Sequence, residues 1–196
     1  MTEEHTKIQA FLEKNTVESL VYTPESLAIY NKAGVIPFCI KDGERHYTVM
    51  KPVSKQLELG EPEFQLCKGT RMFYENGVWQ DMKTTAEQEE MEDLSYTGLR
   101  EGVEELGLVI ASIESLYDMG PFGFISATTG KKKASWMFVA KMRDDVEWLP
   151  LSAIAETTAA RQTVTLAEFK KIGRPDHVFI LEQIDCLLSC HCEERE

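Results

Sequence analysis

The chain has 196 residues, the length of one domain or of one domain with a decoration. Apolar residues make up 43% and charged residues 28%, enough for a core and unlike disordered or fibrous chains. Thirty-three acidic against 21 basic side chains give a formal charge of −12, which argues against nucleic acid as a partner but leaves small phosphates open, since carboxylates can hold a divalent cation that binds them. No apolar run approaches the ~20 residues that span a bilayer, so no membrane partner is expected. The first residues, MTEEHTKIQAFLEKN, are acidic and mixed, unlike a secretory signal. Five cysteines, an odd count in a chain of this size, do not read as a disulfide framework, and the expected location is reducing cytoplasm.

In chain order, Ile8, Phe11 and Leu12 stand at helical spacing within residues 4–14. Ala33 to Ile40 reads as a strand, Asp42-Gly43 as a tight turn, and RHYTVMKP as the returning strand. Pro37 predicts an edge position or a bulge for the first of these strands. Glu63 to Gly69 reads as a third strand, and RMFYENGVWQDM as a small hairpin turning at Asn76-Gly77. Leu99, Val103 and Leu106 then mark a helix, with Gly107 as its C-cap. VIASIESLYDM and ASWMFVAKM read as strands joined by a long glycine-rich loop, GPFGFISATTGKKK. VEWLPLSAIAE reads as a strand stub, a proline turn and a helix start. Thr165 to Ile172 reads as a short helix, and DHVFILEQIDCLLSC as a final amphipathic one with Phe179, Cys186 and Leu187 on its apolar stripe. Strands precede, interrupt and follow helices without regular alternation, which predicts an α+β sandwich with a mixed sheet.

Phosphate-loop, dinucleotide, nucleophile-elbow and zinc-protease signatures are absent, and none of the four histidines is spaced with another as a ligand pair. The distinctive stretch is LREGVEELGL, Leu99 to Leu108. On a helix, Glu101, Glu104 and Glu105 share one face, opposite the apolar stripe. Such a face is either a solvated acidic surface or a carboxylate cluster able to take a hard cation such as Mg²⁺ from water. Arg100, four residues before Glu104, is placed to hold it by a charge-assisted bond.

These residues resemble the box of the Nudix hydrolase family, G-x5-E-x7-R-E-U-x-E-E-x-G-U, where U is bulky and aliphatic. Arg100, Glu101, Glu104, Glu105, Gly107 and Leu108 fit in register, and Glu92 stands eight residues before Arg100. There are two departures. The aliphatic position after Glu101 is Gly102, which with Gly98 would allow close backbone packing, and the opening-glycine position is Ala86. Lys68-Gly69, following a strand, looks like the family's strand–KG start, with 22 residues rather than five before Glu92. Either 17 residues are inserted and carry the hairpin, which is the favoured reading, or the box begins at Ala86. Glu147-Trp148-Leu149-Pro150-Leu151 is similar to the family's element leading from a strand into a helix after the box.

The resemblance implies a Nudix-type α/β/α sandwich over residues 33–190, with a hairpin insertion at about 70–91, an N-terminal extension 1–32 and a tail 191–196. It implies metal-dependent hydrolysis of a diphosphate bond in a nucleoside diphosphate linked to another group. Glu101, Glu104 and Glu105, helped by Glu92, would bind Mg²⁺ or Mn²⁺. Arg100 would orient a carboxylate, and Lys68 and Gly69 would lie near the phosphates. The base would be one of these glutamates or one beyond the box, such as Glu156. Two alternatives stay open. One is a non-catalytic nucleotide-binding or regulatory module of the same fold. The other is an isomerase of isopentenyl diphosphate type using Cys67. Further phosphate contacts could come from the Lys131-Lys132-Lys133 cluster, Arg45, Lys51 or Arg71, and base stacking from Phe122, Phe124 or Trp136, although core positions suit these aromatics better. Cys186, Cys190, Cys192 and His191 match a soft-metal site only loosely. The N-terminal segment could serve a homodimer.

Overall fold

Asp42 and Gly43 both have positive φ, 52° and 79°, the primed turn that joins two right-twisted strands. That turn links β2 (Lys32–Lys41) to β3 (Glu44–Pro52), the strands around which the rest is laid. In this computed structural model the described residues are 3–20, 30–53, 64–75, 78–81, 91–125 and 130–193, of which 73–75, 78–81, 124 and 191–193 are described by backbone alone.

Helix α1 (Glu3–Lys14) leads to the short strand β1 (Glu18–Ser19). After β2 and β3 come β4 (Gly69–Thr70), β5 (Met72–Glu75), β6 (Val78–Asp81) and α2 (Leu94–Glu101). A π-helical turn, Gly102–Leu106, continues α2. Strands β7 (Ile113–Ile125), β8 (Lys132–Met142) and β9 (Thr158–Thr165) follow, then α3 (Leu166–Ile172) and α4 (Pro175–Glu193). The main sheet runs β1-β7-β8-β2-β3-β9, with β4 paired to the start of β2. β2 pairs with β8, and β1 with β7, in parallel; the other pairs are antiparallel, so the sheet is mixed. β5 and β6 pair with each other in a separate two-stranded sheet.

Alternation along β2 sends Ile36 and Phe38 to one face and Val35 to the other. On the first face α4 lays down Ile180, Leu181, Ile184 and Leu188, with Phe169 of α3. On the second face α1 contributes Ile8 and α2 contributes Leu94 and Leu99, packed on Phe138 and Ala140. The result is a helix–sheet–helix sandwich. Among the described residues, no helix is long and apolar enough to cross a membrane.

Several local expectations are corrected. Pro37 lies inside the sheet, aligned with Ala140 of β8; its missing donor is accommodated because the registered β2–β3 pairs stop at Phe38. Of the expected strand 63–69, Glu63 lies outside the described residues, and within 64–69 Gly69 alone belongs to a strand, apart from isolated bridges at Phe64 and Gln65. The Leu66 N–H is diverted to His177 Nδ1 at 2.8 Å. β7 runs through Gly120, Pro121 and Gly123, where a loop is expected from composition, because a bulge at Asp118/Gly120 absorbs the break. The buried stripe of α4 does not include Phe179 and Cys186: both are exposed, and Ile180, Leu181, Ile184 and Leu188 face the core. β9 has no signal in the hydrophobic pattern, since it is a polar edge strand with Thr158 and Val164 buried at its ends.

Candidate active site

The box segment is a helix whose geometry changes part-way. Thr97, Gly98, Leu99, Arg100 and Glu101 are buried in α2, and the chain then widens into the π turn at Gly102. Glycine is needed there: a Cβ at 102 would lie 2.6 Å from Val35 Cγ1 and 3.0 Å from Leu108 Cδ2. One turn earlier, a Cβ at Gly98 would lie 3.1 Å from Phe138 Cδ2. These two glycines let the helix sit against β2 and β8. Gly107, at φ +67°, ends the turn as a left-handed cap.

Arg100 is the pivot. Its Nε donates to Glu92 Oε1 at 2.9 Å, and its Nη2 donates to Glu92 Oε2 at 3.2 Å and to the Thr70 carbonyl at 2.8 Å. Its Nη1 lies 2.8 Å from both Glu101 Oε1 and Glu104 Oε2. Glu92 is buried and also accepts from Thr97 Oγ1 at 2.7 Å and from the Met72 N–H at 3.2 Å. Its carboxylate is therefore turned to protein donors. Arg71, raised from sequence as a phosphate contact, is buried and donates through Nε to the Glu92 carbonyl at 2.7 Å. The base of the β5–β6 excursion is thus tied to the box by Thr70, Arg71 and Met72.

The three glutamates of the cluster differ in exposure, where a regular helix would give one open face. Glu101 is buried, Glu105 half-buried and Glu104 exposed. The structural reasons are the wider turn and the contact with Gly69, where a Cβ would stand 1.9 Å from Glu101 Cδ. Burial pushes Glu101 up to about 7 against the pull of Arg100, with Glu105 and Glu104 adding to the rise. Burial also raises Glu105, opposed by the Cys67 thiol and the Lys68 backbone, while Glu105 Oε2 is buried without a hydrogen-bond partner. Cys67 is itself fully buried, which holds its thiol well above the usual range, as do the neighbouring glutamates.

Lys68 lies half-buried behind this cluster. Burial pushes it down to about 7, and Lys32, Arg174 and Lys133 lower it further against Asp176. Lys132 and Lys133, with Ile125 and the exposed Phe179, line a cavity of about 580 Å³ at the start of α4. A second cavity of about 580 Å³ lies between α1 and the start of α2, with Tyr96, Arg100 and Glu104 on its wall. Of the other residues raised from sequence, Arg45 is engaged by Asp185 at 2.9 Å, Trp136 is buried in the core on the α2 face, and Phe122 is partly buried against the core on the α4 face. Ala86, the turn at Asn76-Gly77 and the side chains of Phe124, His191 and Cys192 lie outside the described residues.

All-oxygen donors of this kind suit a hard divalent cation. Among the described residues no three His, Cys, Asp or Glu side chains already converge as a closed metal cage. The reason is visible: the Arg100 guanidinium stands between Glu101 and Glu104. Glu105 has a buried, unpartnered oxygen, and Glu101 is raised by burial and, less, by Glu105 and Glu104; a cation would relieve both, so the residues fit one.

No protein-family model matches the sequence, and no curated protein matches it. Solved structures do. The NUDIX domain of Shewanella oneidensis NrtR, complexed with ADP ribose, superposes with a TM-score of 0.53 at 14% identity, covering 96% of this chain and 99% of that one. The Nudix hydrolase RenU from M. smegmatis gives 0.53 at 10%, covering 82% and 87%. A C. elegans Ap4A hydrolase binary complex gives 0.51 at 14%, covering 81% and 98%. The chain has the Nudix fold. At these identities the likeness carries the architecture alone.

Proposed function

We propose that the protein is a Nudix pyrophosphohydrolase that uses Mg²⁺, or Mn²⁺, to cleave a diphosphate bond in a nucleoside diphosphate derivative. The observation that carries the proposal is the Glu92–Arg100–Glu101/Glu104 network beside a buried, unpartnered Glu105 oxygen. Glu101, Glu104 and Glu105 would hold the cation, which polarises the phosphoryl oxygens and lowers the pKa of water when bound. Glu92 has the orienting part, fixing the Arg100 fork through two bonds. Arg100 in turn sets the rotamers of Glu101 and Glu104. Gly69 gives the carboxylate of Glu101 its room. Lys132 and Lys133 supply the positive field expected to draw in the anionic substrate, with Phe179 beside them as an apolar surface and Lys68, pushed down to about 7 by burial, adding a partial charge.

The second reading, a ligand-binding module without hydrolysis, is supported by the closure of Glu101 and Glu104 on Arg100. A panel of nucleoside diphosphate derivatives with Mg²⁺, read by product mass, separates the two. Cleavage at the diphosphate linkage supports the hydrolase; tight binding with intact ligand supports the module.

A further inference from the structure

The turn bearing Glu104 and Glu105 is held from outside the box. A helix leaves its last carbonyls without intrahelical donors, and these must be satisfied elsewhere. Here the Gly107 and Leu108 N–H groups serve the Val103 and Gly102 carbonyls, at 3.1 and 3.0 Å. The next three carbonyls in sequence all receive side-chain donors from one short segment. Thr157 Oγ1 donates to Glu104 O at 3.1 Å, sharing its one proton with Ile154 O at 3.1 Å; Thr158 Oγ1 donates to Glu105 O at 2.5 Å and Arg161 Nη1 to Leu106 O at 2.5 Å.

That segment is itself anchored. Thr158 is buried and opens β9. Arg161 donates also to Leu149 O at 3.1 Å, and its guanidinium stands 4.8 Å above the Trp148 ring. Trp148 bridges to Leu108 and packs on the small cluster of Met50, Cys67 and Leu106 beneath the turn. A π turn is an unusual geometry, commonly confined to functional sites. Slipping it to α register would rotate Glu104 and Glu105 relative to Glu101. The three donors match the three carbonyls as the turn now stands.

We infer that Thr157, Thr158 and Arg161 are positioning residues that lock the π turn in register and so set the spacing of the box carboxylates. Their bonds to the turn go to its backbone carbonyls, not to its carboxylate groups. The catalytic consequence rests on the hydrolase reading; the lock on the turn does not.

The test uses the full chain with Thr158→Val, which removes the hydroxyl at nearly constant volume, and Thr158→Ser, which restores it. Ile180→Val, in the opposite core, serves as a stability-matched control. Two readouts are taken: amide exchange at Gly107 and Leu108, without metal, and Mn²⁺ affinity. Thr158→Val should lose about tenfold protection at those amides beyond any global change. It should also weaken Mn²⁺ binding about tenfold, as lost outer supports of metal ligands do. Thr158→Ser should recover both to within about twofold, and Ile180→Val should move neither selectively. Equal effects in Thr158→Val and Ile180→Val, or no recovery in Thr158→Ser, would overturn the inference. A parent that binds no Mn²⁺ would overturn the metal reading, leaving the exchange arm to decide whether the donors lock the turn.

Discussion

Gly69 and Glu101 are in contact across the site: a Cβ on residue 69 would stand 1.9 Å from Glu101 Cδ and 2.1 Å from each carboxylate oxygen. Gly69 also begins β4, whose Thr70 carbonyl accepts from Arg100. Strand start, glycine and box helix therefore form one unit, which supports Gly69 as the box glycine despite its distance in sequence. Gly69→Ala should displace the Glu101 carboxylate by about an ångström and lower turnover about 100-fold, with the fold retained. Steady-state kinetics and circular dichroism check this; turnover within threefold of the parent would contradict it.

Gly102 stands where the family pattern has a bulky aliphatic residue, and Val35 explains the exchange, since a Cβ there would come 2.6 Å from Val35 Cγ1. Gly102→Val should cost about 1–3 kcal/mol through overpacking, although valine is the better helix former. Val35→Ala in the same chain should return part of that loss, read as a coupling energy in a urea double-mutant cycle. Additive losses would show that the close packing does not govern this position.

Glu104 is the exposed carboxylate of the three, with its side chain 51% accessible although it meets Arg100 at 2.8 Å. Glu104→Gln should therefore change stability by no more than about 0.5 kcal/mol. Turnover should fall far more than substrate binding weakens, because a cation acts on transition-state charge. A variant with turnover within about threefold of the parent would make this a solvated acidic side chain.

His177 gives a pH signature outside the carboxylate cluster, beside Lys68. Its Nδ1 accepts the Leu66 N–H at 2.8 Å, and burial, with Lys68 and Arg174 nearby, holds its pKa well below the usual value against Asp176. The unfolded chain takes up this proton near pH 6.5, whereas the folded chain resists it. The stabilisation is complete above that pH and is lost as pH falls through it, by up to about 1.4 kcal/mol per unit. Glu101, raised in the fold, changes stability in the opposite sense. The comparison is therefore parent against His177→Gln by urea unfolding. The parent's advantage should shrink between about pH 7.5 and pH 5; a constant difference would contradict this.

The helix of the carboxylate stretch was legible because its pattern is local: Leu99, Val103 and Leu106 bury one side of it. Exposure of the individual glutamates was not legible, because it depends on Gly69 and on the π turn. Arg71 reads as a free cation in sequence, yet it bonds the Glu92 carbonyl from across the β5–β6 excursion. Thr158 and Arg161 carry no motif, since what they cap are backbone carbonyls, which no residue type announces. The α4 stripe was displaced because Phe179 and Cys186 are apolar but sit on the outer side of the helix.

The central claim is that the carboxylate cluster, loaded with a divalent cation, cleaves a diphosphate bond. The most direct measurement is product mass from nucleoside diphosphate derivatives incubated with the parent protein in Mg²⁺, in excess chelator, and with Glu101→Gln in Mg²⁺. The account predicts cleavage at the diphosphate linkage in the first case and loss of it in the other two. Cleavage that persists in chelator, or undiminished in Glu101→Gln, would contradict it.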